Sequence, residues 1–373
     1  MELYVFSGAL LLLGLADDVA RCVCTLRYGE AGTLEAVCGN TAHNRSLLRH
    51  GCILALRQDR GLTGADTAPF RGRYDGFRIE ALEYDAAAGT ITVTGAGLSS
   101  LLSLRVIPAD WTVEGNSAAA IDAVVGTHCI SPSDPARALP FLRLAGGFSG
   151  GADILREGGW ETVYDGVRAL AELAGTGFTI DLLASRRLVF RQYRGVDHTA
   201  ERFGPIPLLS EQFGNLIESG YADDRADWRT TAYVRTGMKA ADGSETTLVV
   251  NGGPEGFDRR ELLVSVPSPD SRLTGDERLA YIRAAGEEAL LRRAPEQRLE
   301  AAVRTDAGLV FRRDYGLGDR FLVRSSRFGL ETSLPIRAVT ESWEDGAYQA
   351  QPILGDEQPQ RIRRLAALLA EQN

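Results

Sequence analysis

The sequence predicts a β-dominated α+β fold, on three observations. Short apolar runs with period-two alternation recur in both halves of the chain. Gly-bearing turns, drawn from 41 glycines, separate them. Only a few stretches between them show helical spacing with recognisable caps. A chain of 373 residues can bury a sizeable core and suggests about two to four compact units. Hydrophobic residues at 44% and charged residues at 24% fit a folded protein rather than extensive disorder. The net charge of −9 lacks the basic excess that nucleic-acid binding shows.

The first hundred residues read mostly as strands. The opening Met1–Ala16 stretch looks like a signal peptide at first sight, but Glu2 and the Asp17–Asp18 pair fit export poorly. A buried N-terminal strand or hairpin is expected there instead. Strands are expected over 19–28, 33–38, 52–57, 72–84 and 90–94. ALEYD-AAAG-TITVTG is a strong hairpin signal, because alternating runs flank a short Gly-containing loop. Thr41 to His50 reads as a short helix capped by Thr41 and stopped by Gly51.

From Trp111 to about Thr199 the pattern mixes helix and strand. Asn116 caps a helix reaching Val125. Over Glu161–Ala174, Val163, Val167, Leu170, Ala171 and Ala174 share one face, and Gly175 supplies the stop. Strands 177–183 and 187–193 follow, as an inserted α+β unit packed beside the first strand region. Strands return over 216–266, with a hairpin tip at Ala241-Asp242-Gly243. SVPSPDSRLTGDE is a linker, and a helix runs from about Asp276 to Arg293 before Pro295. Further strands are expected over 299–311, 320–324, 334–343 and 347–353. A short amphipathic helix over 358–372 closes the chain.

The chemistry-bearing patterns each have a plainer reading. Gly95-x-Gly97 after a strand imitates a dinucleotide fingerprint, but the third position holds Ser100 and hairpins precede it, so it reads as a strand-to-helix turn. Cys38, His43, His50 and Cys52 do not fit a compact zinc knuckle, and Cys22-x-Cys24 alternates along a strand as core thiols do. Five cysteines, with Cys129 the fifth, form no even disulfide framework. Gly147-Phe148-Ser149-Gly150-Gly151 lacks nucleophile-elbow spacing. His128 beside Cys129 reads as loop lining, and His198 joins no catalytic pattern. Asp223, Asp224 and Asp227 could pair as glycosidase acids, but interleaved Arg225 and Arg229 favour an ion-pair surface. Trp111, Trp160, Trp228 and Trp343 are scattered as single anchors rather than clustered. No catalytic, cofactor-binding or metal-ligating residue is assigned, and no cofactor is expected.

Several stretches in order resemble one family. The opening carries Tyr28, Gly32, Glu35 and Asn44; GAGLSSLLSLRVI with Arg105 follows; then RGVDHT (194–199), FGNLIESGYADDRADWRTTAYVRTG (213–237), GFDRREL (256–262) and DYGLGDRFLVRSSRFGLETSLPIRAVTESWEDGAYQAQPILGD (314–356). Together they resemble the siphovirus tail-tip hub proteins, the Gp37-like tail proteins of long-tailed phages, which are related in fold to the myovirus baseplate hub. Thr231 stands near where that family usually shows an asparagine.

The resemblance implies two tube-like β-barrel hub domains with an α+β insertion and a small peripheral helical element. The segments would be a first barrel at 1–108, an inserted α+β domain at 109–200, and strands returning to the barrels at 201–266. A linker and peripheral helix at 267–297, a second barrel at 298–356 and a C-terminal amphipathic helix at 357–373 complete it. The implied assembly is a homotrimeric, pseudo-sixfold ring at the tail tip of a phage or tail-like bacteriocin. It would join the tail tube or distal tail protein to a spike, fibre or tape-measure protein, with DNA met only in passage. No membrane span is expected; the protein would be made in the bacterial host cytoplasm and reside in the virion. Two rivals differ in class. A tail-associated cell-wall hydrolase would lose activity with a carboxylate pair or Cys129, and a receptor- or carbohydrate-binding module would bind isolated host cells.

Overall fold

A computed structural model of the chain describes residues 1–199, 208–239, 245–267, 274–303, 309–325, 329–344 and 346–355. Contacts divide the chain into one unit of residues 1–220 and 299–373 and a second of residues 221–298. The hairpin tip at 241–243, linker positions 268–273 and the helix expected at 358–372 lie outside the described residues.

The larger unit begins with a hairpin, β1 (Tyr4–Phe6) and β2 (Leu12–Leu15), in which β1 also pairs with β5 (Ile53–Arg57). Between them come β3 (Val19–Arg27), β4 (Thr33–Gly39) and α1 (Ala42–Leu47). Thr41 accepts a hydrogen bond from the Asn44 amide, the side-chain cap its sequence position requires. The expected hairpin forms from β6 (Arg73–Asp85) and β7 (Thr90–Gly97), with Asp85 opposite Thr90. Cys22, Cys24, Cys38, Leu34, Ile91 and Val93 interdigitate in one core cluster on this sheet. Period-two alternation therefore does what it should: it sorts the apolar set of each strand to one face.

A 3₁₀ turn leads into β8 (Val106–Asn116) and α2 (Ser117–Val125), and then β9 (Leu142–Leu144), β10 (Asp153–Thr162) and α3 (Val163–Ala174). Asn116 accepts from the amides of Ala118 and Ala119, and Gly175 ends α3 with φ +61°, a conformation costly for any residue with a Cβ. The hairpin β11 (Gly177–Leu183) and β12 (Arg187–Tyr193) follows. It meets the first strand region both by strand pairing and by side-chain packing. Leu182 and Leu183 of β11 pair with Tyr74 and Arg73 of β6, and Phe178 and Phe190 share a core with Phe6, Leu10, Ile53 and Leu98. The inserted segment thus extends the N-terminal sheet and buries its apolar faces against it.

The chain continues through β13 (Leu208–Ser210) and β14 (Leu216–Asp224). The smaller unit then holds β15 (Thr231–Lys239), β16 (Glu245–Val250) and β17 (Glu261–Ser265) as a three-stranded sheet, ordered β16-β15-β17. Against it lies α4 (Gly275–Leu291), whose Ile282 meets Ala232, Val234 and Val250. Gly286 allows this approach, since a Cβ there would meet the methyls of Val234 and Val250 at 2.8 and 2.7 Å. A capping box between Thr274 and Glu277 starts α4, slightly earlier than its apolar spacing alone indicated.

The returning strands are β18 (Glu296–Val303), β19 (Arg320–Ser325), β20 (Leu330–Glu344) and β21 (Ala347–Gly355). In the larger unit β20 pairs with both β21 and β3, so the C-terminal strands join the same sheet as the N-terminal ones. The order runs β21-β20-β3-β4-β7-β6-β11-β12-β9. Among the described residues no helix is long and apolar enough to cross a membrane.

Candidate assembly site

Two junctions hold the far ends of the chain together in the larger unit. The first is a buried ionic clasp. Glu341 on β20 lies opposite Cys24 on β3 and has no exposed surface. The Arg60 guanidinium bonds both of its oxygens, Tyr348 donates to Oε1 at 2.7 Å, and Arg312 stands 3.6 Å from Oε2. Arg60 and Arg312 also converge on Asp75 of β6, at 2.5 and 2.6 Å. Two cations therefore face two carboxylates, and the group is neutral. Gln58 extends it, donating to Asp75 at 3.1 Å and Asp181 at 3.0 Å.

Burial alone would push the Asp75 carboxyl up, but Arg312 and Arg60 outweigh it and hold it down at about 2. Its ordinary value in an unfolded chain is about 4. A depressed folded value contributes stability that is present above pH ~4 and is lost as pH falls toward ~2. The contribution is on the order of 2 kcal/mol. Denaturant titrations from pH 5 to pH 2 should show this loss in the native chain, and Asp75→Asn should flatten that part of the profile.

The second junction joins the RGVDHT and GLGD segments. The Asp319 carboxylate accepts from the Val196 amide at 2.7 Å and the Gly316 amide at 2.8 Å, and His198 Nε2 lies 3.1 Å from it. The His198 ring stacks on Phe321, with centroids 4.5 Å apart. Gly195 faces Gly318 backbone to backbone, and a Cβ at Gly195 would overlap the Gly318 carbonyl. Gly318, at φ +83°, lies in turn against the Tyr28 ring. Beside these junctions opens a cavity of about 480 Å³, lined by five arginines and five carboxylates. That balance selects neither an anion nor a cation.

The surface carries a different feature. The β1–β2 hairpin is not buried throughout, as the sequence suggested. Leu3, Val5 and Leu10 are inside, whereas Leu11, Leu12, Leu13 and Leu15 are 43–56% exposed. Leu10 accepts φ +57° to make the turn and seats its own side chain in the core. Among the described residues β2 pairs with β1 alone, so an apolar edge strand faces outward. Such edges invite pairing with another chain, and monomeric proteins usually blunt them with charge or proline.

The residues weighed for chemistry are not gathered into a centre. Cys38 and Cys52 are core thiols, while His43 and His50 lie at the surface. Among the described residues no group of three or more His, Cys, Asp or Glu could hold a metal ion. Gly95 and Gly97 serve strand packing: a Cβ on Gly97 would meet the Gly32 amide nitrogen at 2.9 Å. Ser149 is exposed in its loop. Cys129 is buried, and burial raises its thiol to about 11, so it is no ready nucleophile. Burial and Arg137 lower His128. Asp223 is held by Arg225 at 2.9 Å, Asp224 accepts from the Ala226 amide, and Asp227 faces Arg293 at 3.4 Å. Asp223 and Asp227 thus face arginines, and Asp224 holds the turn that follows it. Sequence reasoning missed the clasp, although an acid at an inward strand position was its available signal.

Known proteins place this arrangement. A family model described as Siphovirus ReqiPepy6 Gp37-like protein matches residues 2–356. The chain belongs to that family. Gp37-like membership makes it a siphovirus-type protein, and solved structures that share its fold are described as phage or prophage tail proteins. A tail protein from Neisseria meningitidis MC58 has the same fold at a TM-score of 0.57 and 14% identity, covering 95% of this chain and 96% of that one. Prophage tail protein gp18 from Listeria monocytogenes EGD-e gives 0.55 at 14% identity, over 100% and 99%. The prophage MuSo2 43 kDa tail protein from Shewanella oneidensis gives 0.54 at 13%, over 95% and 98%. No curated protein matches the sequence.

The Gp37-like motif residues have visible structural work. Asn44 is fully buried, accepts from the Asp17 amide at 3.0 Å, and donates to the Asp17 and Gly39 carbonyls at 2.8 Å each. Tyr28 donates to the Gly175 carbonyl at 3.1 Å and packs edge-on against Tyr193. At the departure near Thr231, Asn251 from the neighbouring strand end supplies the amide, donating to the Thr230 carbonyl at 2.7 Å.

Proposed function

We propose that this Gp37-like tail protein is a tail-tip hub. Three copies form a pseudo-sixfold ring joining the tail tube, or a distal tail protein, to a spike, fibre or tape-measure protein. The observation that carries the ring is the exposed leucine edge of β2, which a chain working alone in water would be expected to cover. Pairing among the described strands follows an open path, so the barrels at 1–108 and 298–356 rest on the family resemblance. The remaining segments, with an α+β insertion at 109–200 and a peripheral helix near 267–297, are proposed on the same ground. Synthesis in the host cytoplasm and contact with DNA only in transit belong to the same reading, as the net charge of −9 suits a conduit that DNA crosses without adhering.

Light scattering on purified protein tests the ring. The mass should correspond to three chains. Leu12→Glu should shift it toward one chain, because a charge on the edge opposes strand pairing, while the melting temperature of the monomer changes little. A native chain that stays monomeric at all concentrations and inside particles would contradict the ring.

A further inference from the structure

The ribbon of β8 and β10 has one closed face and one open one. On the closed face the Arg156 guanidinium lies 5.0 Å over the Trp111 ring and bonds Glu161 at 3.1 and 3.0 Å; Trp111 Nε1 donates to the same carboxylate at 3.2 Å. The register places Asp110, Thr112 and Glu114 of β8 on the opposite face with Asp153 and Glu157 of β10, and all five are exposed. The four carboxylates have no ion-pair partner among the described residues, and the only base on the ribbon, Arg156, is buried and committed to the other face.

At the end of this face the pairing shifts register between Gly159 and Glu161. Trp160 sits in the irregularity with φ +54°, a conformation that bulky residues avoid. The residue is 75% exposed. Gly159 lets the Asp110 carboxylate lie close to this turn, since a Cβ there would meet Asp110 Oδ1 at 2.6 Å. A large, exposed amphipathic ring is the kind of side chain that most often anchors a protein interface.

We infer that this open face docks a different tail protein through a segment bearing arginine or lysine, with Trp160 as its anchor. The inference rests on the tail reading above. Charge selects the occupant. Four uncompensated carboxylates attract cationic side chains, and a guanidinium also stacks on an indole face. The same carboxylates repel the phosphates of nucleic acid and anionic lipid. A sugar needs donors as well as acceptors around its stacking ring, and the carboxylates on this face only accept. A second copy, itself at net charge −9, is the poorer electrostatic match.

The test places a photo-crosslinking benzoylphenylalanine at Thr112 in the full chain, assembles it into tail particles, and identifies the linked peptides by mass spectrometry. The expected product joins Thr112 to a basic segment of another tail protein. Trp160→Ala should lower its yield about tenfold or more, by the loss of an anchor residue. Trp160→Phe should retain part of it, and unchanged melting of both variants separates lost docking from lost folding. Links to a second copy or to nucleic acid, or no link in particles that contain the protein, would overturn the inference. Particles lacking the protein on an immunoblot would instead overturn the tail reading, and the inference with it.

Discussion

Glu341→Ala is expected to destabilise the larger unit by about 3–5 kcal/mol, the cost of leaving buried cations without their counter-charge. Arg60 would lose both of its bonds to Glu341 and retain Asp75 and the Arg57 carbonyl, and Tyr348 would lose its acceptor. The two charges removed from water at Arg60 and Arg312 cannot be rehydrated where they stand, since Arg60 lies against Trp343 and both guanidiniums are largely covered. Tyr348→Phe removes one donor to the carboxylate and leaves every charge paired, so it should cost less, about 1.5–3 kcal/mol. Urea denaturation of the three proteins at neutral pH gives the comparison. A loss below about 1 kcal/mol for Glu341→Ala would mean the clasp is hydrated and contributes like a surface pair.

The second large effect is at Gly195. Alanine there would drive a methyl into the Gly318 carbonyl, and neither backbone can yield cheaply. Asp319 pins one side to the Val196 amide, and Gly318 donates to the Ile336 carbonyl at 2.7 Å on the other. The expected loss is about 3 kcal/mol or more, at the upper end for overpacking. Gly126→Ala is the matched control. Gly126 has helical φ and ψ of −59° and −51°, and nothing lies within 4 Å of its added Cβ. That change should be neutral or slightly stabilising. Similar melting temperatures for Gly195→Ala and Gly126→Ala would show that the RGVDHT and GLGD segments are not locked together.

These two sites also mark where the sequence stops being readable. Local chemistry was legible: Thr41, Asn116 and Gly175 each cap or end the helix their neighbours imply, because a cap acts within three or four residues. The β6–β7 hairpin was legible for the same reason. The clasp was not, since Arg60 and Glu341 are 281 positions apart and neither names its partner, although the inward phase of Glu341 hints at one. The β8–β10 ribbon escaped because Pro108 and Gly158–Gly159 interrupt the alternation that signals a strand. The exposure of Leu11 to Leu15 escaped because apolar residues in an N-terminal hairpin imply burial until its pairing partners are known. The motif segments RGVDHT and GLGD were recognisable as text, while their mutual contact belongs to tertiary packing.

The hub account is tested most directly by immunogold electron microscopy on induced particles, with an antibody to this protein. The account predicts label confined to the distal end of the tail. Label along the tube, or protein found free in the lysate with none on particles, would contradict it.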